Sequence, residues 1–177
     1  MYALNPDLNR SRSEYYAGNF TPNMITNGYE SGSSLSSWLN DPMKYLNTVS
    51  TYEISFKGSR AGNAITFQIT SSNMKNNNDS SDIRLFVATV MGKVIYPGSF
   101  NGMYEHSNVA IDQLLGNTGK KIQYIANSDY IENFNWTIPA PWNDNPDIRW
   151  SPGNLKVIVW IQDFKSKEIL QSAEFRF

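Results

Sequence analysis

Tyr52-Glu53-Ile54-Ser55-Phe56-Lys57 and Ile65-Thr66-Phe67-Gln68-Ile69-Thr70 decide the fold. In both runs apolar and polar residues alternate one by one, so an extended chain has one dry face and one wet face. The link Gly58-Ser59-Arg60-Ala61-Gly62-Asn63 has the length of a hairpin loop, and the two runs are expected to pair antiparallel. Downstream, Ile83–Val90 is almost continuously apolar, which predicts a central strand covered on both faces. Lys120–Ala126 and Tyr130–Ile138 read as strands joined around Asn127-Ser128-Asp129, with Phe134, Trp136 and Ile138 on one face. Leu155–Phe164 is the most apolar strand, and Phe164-Lys165-Ser166-Lys167 turns it into the last, Glu168–Phe177. Between these, residues 92–118 read as a long connection. Within it Ser107–Gly116 predicts a short helix, from a capping candidate, apolar spacing and a terminal glycine. The expectation is a mainly β chain: an antiparallel β-sandwich of about seven strands beyond residue 48.

Upstream of residue 48 the character changes to short apolar pieces broken by Gly, Ser and Asn. Ser33-Ser34-Leu35-Ser36-Ser37-Trp38-Leu39 offers serines as N-caps, and Asp41-Pro42 offers a second start. Leu35, Trp38, Leu39, Pro42 and Leu46 share one helical face, which predicts a helix within 34–47. The chain therefore divides into a segment 1–48 and a β-sandwich domain 49–177.

The chain has 177 residues, the length of one ordinary domain with a short appendage. Lys+Arg is 15 and Asp+Glu is 16, a net charge of −1, so no general electrostatic attraction to nucleic acid exists. Absence of cysteine excludes disulfides, thiolate metal sites and dithiol redox chemistry in this chain, and one histidine excludes multi-histidine sites. No run approaches the roughly 20 apolar residues that span a bilayer, so membrane insertion by a helix of this chain is not expected. The start, Met1–Pro6, has neither a basic stretch nor an apolar one and is not a signal peptide. Either the protein is cytosolic or an N-terminal part has been removed. A surface rich in amides and hydroxyls, with 21 Asn and 20 Ser, leans to the second and to an extracytoplasmic location.

Two stretches resemble a known family. Ser13-Glu14-Tyr15-Tyr16-Ala17-Gly18-Asn19-Phe20-Thr21-Pro22-Asn23-Met24-Ile25-Thr26-Asn27-Gly28 resembles the second half of a thioredoxin-like domain, in which a helix ending in a tyrosine pair leads to a Thr-Pro step, a strand and an Asn-Gly turn. Val157–Asp163 with Lys167–Ala173 resembles the closing hairpin of a β-sandwich that follows such a domain. Leu85–Val90 and His106–Val109 fit the same pattern. The combination resembles the Bacteroidota outer-membrane lipoprotein family of the twenty-eight-kilodalton type. The resemblance implies a short N-terminal ββα thioredoxin-like remnant in 1–48, Pro22 at the cis-proline position, and an exported surface or periplasmic protein, most members of that family having no assigned activity. No cysteine faces Pro22, and only the later part of a thioredoxin fold is present. Three such elements bury too little apolar surface to stand alone, so 1–48 is expected to pack on the sandwich, on another chain or on a further N-terminal fragment.

Candidate sites are few. His106 lies in Tyr104-Glu105-His106-Ser107-Asn108. A general base needs a nucleophile and an orienting carboxylate, and sequence-adjacent Glu105 points away, so a loop or helix-capping histidine is expected. Asp144 and Asp147, in a loop stiffened by neighbouring prolines, are the candidate oxygen ligands for Ca²⁺; no other cofactor is indicated. Trp142 and Trp150 bracket the Pro- and Trp-rich loop 139–153 and are the candidates for stacking on sugar, whereas Trp136 and Trp160 are expected to be core or half-buried. Glu53, Glu132, Asp163 and Glu168 fall on outward strand phases and read as surface carboxylates, not a glycosidase pair. Gly116–Lys121 has a Gly-x-x-Gly-Lys pattern but leads into a strand, the wrong order for a phosphate cradle.

The sequence thus predicts no enzyme. It predicts an interaction or binding domain, with a protein partner or a second copy of itself engaged through 1–48, through loops 73–82, 97–106 and 139–153, or by β-augmentation at the last strand. The alternatives are a carbohydrate-binding module and the accessory half of a thioredoxin-like redox protein.

Overall fold

The computed structural model describes residues 6–17, 24–75, 82–98, 102–125, 128–139, 149, 150 and 152–177. Its elements in chain order are α1 (Pro6–Tyr15), β1 (Met24–Thr26), β2 (Tyr29–Gly32), α2 (Leu35–Asn40), a 3₁₀ turn (Pro42–Tyr45), β3 (Tyr52–Ala61), β4 (Ala64–Asn73), β5 (Ile83–Ile95), β6 (Glu105–Gln113), β7 (Lys120–Lys121), β8 (Tyr130–Thr137), β9 (Arg149–Trp150), a second 3₁₀ turn (Pro152–Asn154), β10 (Leu155–Asp163) and β11 (Ile169–Arg176). Two antiparallel sheets face each other. The larger runs β11-β10-β5-β6, with β7 and β9 pairing the two ends of the long β5, and the smaller runs β3-β4-β8. The expected antiparallel sandwich is therefore present.

The alternation read from sequence builds the core. Ile65, Phe67 and Ile69 of β4 face Leu85, Val87 and Met91 of β5 and Val157, Val159 and Ile161 of β10, all at 2% exposure or less. Each such side chain contributes on the order of 1.5–3 kcal/mol by leaving water. Phe67 stacks on Phe134 at 4.6 Å and on Phe56 at 5.2 Å. β5 is central as expected, buried continuously from Leu85 to Met91. The open sides are sealed by cross-sheet contacts. On one, Gln171 Nε2 donates to Tyr52 O at 2.9 Å and Phe56 stacks on Phe175 at 4.4 Å. On the other, Trp136 Nε1 donates to Asp112 Oδ2 at 3.0 Å.

Several expectations are corrected. Ser107–Gly116 is no helix: β6 occupies Glu105–Gln113 and pairs with β5. Val109 and Ile111 are β-branched and two residues apart, with only Ala110 between them, and the unpaired edge of a thirteen-residue strand offered them a ladder. A register shift opposite Thr89/Val90 and a positive φ at Asn108 (56°) blurred the period of two. The β3–β4 link is only Gly62-Asn63, because Gly58–Ala61 extend β3. Gly58 is required there: a Cβ would lie 2.8 Å from the rings and side chain of Phe56 and Phe67. Lys120–Ala126 keeps its alternation, Ile122 and Tyr124 being buried, but only Lys120–Lys121 form ladder. With β6 and the short β9 the described strands beyond residue 48 number nine, not seven.

The N-terminal segment packs on the sandwich through α1 and the β1–β2 turn. The outer face of the large sheet carries Phe86 stacked on Trp160, with ring centres 5.0 Å apart. Arg12 of α1 places its guanidinium 4.7–5.5 Å from the rings of Tyr15, Tyr16, Phe86 and Trp160. Tyr15 stacks on Phe164 at 4.7 Å and donates to its carbonyl at 3.0 Å, while buried Gln162 donates to Tyr16 Oη at 3.0 Å. The Asn27-Gly28 turn, with φ 51° and 91°, presses on Lys167: a Cβ on Gly28 would fall 1.7 Å from the Lys167 carbonyl oxygen. The Thr21-Pro22 step lies outside the described residues.

Candidate interaction surface

Helix α2 begins at Ser34, whose Oγ accepts from the Ser37 backbone at 3.1 Å. Its backbone stays right-handed through Asp41 (φ −63°, ψ −41°), where Pro42 removes a donor and tightens the path into the 3₁₀ turn. Leu35, Leu39, Met43 and Leu46 succeed one another at spacings of four, four and three along this path, which puts them in one row. Trp38, expected on the same face, instead turns back and donates its Nε1 to Gly32 O at 2.7 Å, pinning α2 to β2. No residue of α2 is buried. Leu35, Leu39, Met43 and Leu46 are 61–68% exposed, and Val49 beyond them is 87% exposed. This ridge was legible as a helical face; that it faces outward was not.

Charge is scarce along it. Within 33–51 the only ionisable side chains other than Tyr45 are Asp41 and Lys44, and they pair with each other at 2.5 Å. The hydrogen bond from Lys44 lowers the Asp41 carboxyl below its usual range and raises the Lys44 ammonium. Beside the ridge lies an open groove of about 430 Å³ between Tyr45, Val49, Lys75, Glu168 and Gln171. Its floor is tied down: Ser50 Oγ donates to Leu170 O at 2.8 Å, and Met74 N donates to Thr51 O at 2.8 Å.

Sheet register fixes which end of the sandwich this is. Tyr52 pairs with Asn73, Ser71 with Tyr130, and Asp163 with Ile83. The starts of β3, β5, β8 and β11 therefore share one end with the N-terminal segment. Of eleven exposed large apolar side chains among the described residues, nine (Tyr29, the five above, Met74, Ile125 and Ile131) lie at this end, and only Met103 and Tyr104 lie at the other. That asymmetry makes this end the candidate surface.

Of the residues singled out from sequence, Glu168 lines this groove. Trp142, Asp144 and Asp147 lie outside the described residues, and Trp150 enters β9, whose backbone pairs with Val94. Trp136 and Trp160 are half-buried, as expected. His106 is neither a loop residue nor a helix cap. It is buried on β6 at 5% exposure, and its Nε2 has no hydrogen-bond partner among the described residues. Glu53 is exposed; Glu132 is half-buried and accepts from Lys120 Nζ at 2.6 Å and from the Tyr130 hydroxyl. Asp163 closes the β10–β11 turn by accepting from Lys165 N and Ser166 N. Among the described residues no group of three or more His, Asp or Glu side chains is placed to hold a metal. The aromatic cage around Arg12 escaped the sequence reading, although Tyr15 and Tyr16 at i+3 and i+4 from Arg12 were its local sign.

An antiparallel β-sandwich carrying an N-terminal α-β-β-α segment is the class of protein these elements define. The same fold occurs in a domain of the outer membrane lipoprotein Omp28 from Porphyromonas gingivalis, with a TM-score of 0.50 and 9% identity over 73% of this chain and 90% of that one. The resemblance read from sequence thus holds at the level of fold. The Escherichia coli curli protein CsgC matches with a TM-score of 0.34 and 16% identity over 70% of this chain and 97% of its own. β-Glucosidase 3B from Thermotoga neapolitana matches with a TM-score of 0.37 and 11% identity, over 72% of this chain but 16% of the enzyme. These two scores are too low to carry an inference. No protein family and no curated protein matches the sequence. No described helix is long and apolar enough to cross a membrane.

Proposed function

We propose that this chain is a non-catalytic interaction domain of an exported bacterial protein, working in the periplasm or at the outer surface, and that the end bearing α2 is its contact surface. The observation that carries this is the run Leu35, Leu39, Met43, Leu46 and Val49: five large apolar side chains left uncovered along α2, the 3₁₀ turn and the residues after it, with α2 held by its cap and by the Trp38 bond. The largest apolar patch on a protein, on the order of a few hundred Å², is often a functional contact site. The shared fold with an outer membrane lipoprotein domain supports the extracytoplasmic location. A photo-crosslinking residue placed at position 39, and separately at 104, in cells producing the protein tests both parts. Protein adducts at 39 but not at 104, recovered from the envelope fraction, are expected. Equal labelling of the two positions, or recovery of the adducts from the cytosol, would remove the reading.

A further inference from the structure

We infer that the partner seated on the α2 ridge is a second copy of this chain, joined about a twofold axis that passes between the two ridges near Leu39 and Met43. This rests on the reading of the α2 end as a contact surface and names its occupant. Three observations favour a copy of itself over a different protein.

The first is charge. A twofold contact brings each residue near its own image, so an unneutralised charge repels itself. Here Asp41 and Lys44, the only charged side chains in 33–51, cancel each other within one chain at 2.5 Å. A surface selected to recognise a foreign charged partner would keep a net sign on its rim; beside this ridge one cation, Lys75, and one anion, Glu168, line the groove and balance each other. The second is area. Five large apolar side chains exposed by 61–87% present on the order of 500 Å², and Ser36, Asn40 and Asn47, all exposed, ring them with hydroxyls and amides. A standard stable interface removes about 800 Å² per partner, with an apolar centre and a polar rim. Ridge, rim and neighbouring Tyr29 approach that figure without calling on any other part of the molecule. The third is shape. The row from Leu35 to Leu46 follows α2 and the 3₁₀ turn and is roughly 18 Å long. Residues four apart form the ridge that packs into the matching groove of an identical helix when the two cross antiparallel. Such a row is complementary to its own image.

The test uses the full chain. Sedimentation velocity from about 1 µM to about 100 µM spans the range in which an interface of this size and moderate affinity dissociates. A concentration-dependent monomer–dimer shift is expected. Leu39→Asp, which sets a charge against its own image, is expected to weaken association at least tenfold, with circular dichroism, and melting of the dilute monomer, unchanged because Leu39 is 65% exposed. Tyr104→Ser at the opposite end is expected to leave association as it was. Since the chain has no cysteine, Leu39→Cys or Met43→Cys under mild oxidation reports the joint directly. A disulfide-linked dimer is expected from these and not from Tyr104→Cys. A protein monomeric throughout this range, with no disulfide-linked dimer, overturns the second copy. If position 39 still labels a foreign protein in cells, the contact surface stands while the self-contact falls; if it labels nothing, both fall.

Discussion

Helices α1 and α2 belong to one segment of fewer than fifty residues, yet they treat their aromatic and apolar side chains in opposite ways. α1 turns inward: Leu8 is buried, Tyr15 stacks on Phe164, and Arg12 is enclosed by four rings on the outer face of the large sheet. Its guanidinium is held below its usual pKa by burial, opposed by the neighbouring tyrosines. α2 has no buried residue and directs Leu35 and Leu39 to solvent. Both helices are fixed by hydrogen bonds, so the difference does not come from one being loosely attached. Apolar burial is the main driving force for keeping a short helix formed. Here the indole and the cap hold the helix in place while its apolar row stays outside. The proposed contact surface rests on this pairing of a covered and an uncovered helix.

The largest effect that tests this contrast is expected under α1. Phe86 is fully buried and forms the floor on which Trp160 and Arg12 sit. Phe86→Ala is expected to lower unfolding free energy by about 3–5 kcal/mol, measured by urea titration. A loss below about 1 kcal/mol would mean that α1 covers nothing of consequence. Next is the turn that docks the hairpin. Gly28→Ala forces a Cβ to 1.7 Å from the Lys167 carbonyl at φ 91°. It is expected to cost about 2–3 kcal/mol or to lift β1–β2 off the sandwich. Amide exchange separates these outcomes, since lifting accelerates exchange in β1–β2 and at Ile169, whose N–H donates to Asn27 O, while β5 stays protected.

How much of this was legible in the sequence follows from the range of the forces involved. Alternation in Tyr52–Lys57 and Ile65–Thr70, and the apolar run at Ile83–Val90, are local patterns, and they gave the sandwich and its central strand. β6 was not legible because its period is broken at Asn108 and because the deciding contact, the free edge of β5, is distant in sequence. The α2 face was visible as spacing, but exposure is a property of what does not arrive, and no pattern within 33–49 encodes it. Trp38 was misassigned to that face because its hydrogen bond to Gly32 O outweighs helical phase. Trp142, Trp150, Asp144 and Asp147 were read from residue type and from their place in a proline-stiffened loop, most of which lies outside the described residues. The exposed ridge on α2 and the turn after it is built from leucines and a methionine, residues that composition assigns to cores.

A smaller effect concerns pH. Burial, aided by Tyr16 and opposed by Arg12, pushes the Tyr15 hydroxyl up to about 12, from an ordinary value near 10. The docked state therefore prefers the neutral ring. Its contribution to docking is complete below pH 10, where free and docked tyrosine are both protonated. It declines as the free ring ionises first, and is lost as pH rises through about 12. Because Tyr15 is only half-buried and its charge is partly screened, the change is expected to be about 1 kcal/mol, not the full roughly 1.4 kcal/mol per unit. Amide exchange in α1 at pH 9 and at pH 11, compared at matched intrinsic rates, reports it. Tyr15→Phe is expected to abolish the pH dependence in α1, and a dependence that persists in this variant would assign it to another group.

The smallest stability effect is expected on α2, and its smallness is the informative part. Leu39→Ser removes a side chain that is 65% exposed and leaves the Ser34 cap, the Trp38 bond and the Asp41–Lys44 pair untouched. In dilute monomer its unfolding free energy is expected to stay within about 0.5 kcal/mol of the parent, as for surface changes away from packed features. At high concentration the parent alone gains apparent stability, because any species that binds only the folded state raises it by mass action. The two melting curves are therefore expected to coincide when dilute and to separate when concentrated. Curves already apart by more than about 1.5 kcal/mol in dilute solution would show Leu39 covered within its own chain, and the distinction between the two helices would disappear. Curves that coincide at every concentration would leave α2 exposed but without a copy of itself to meet.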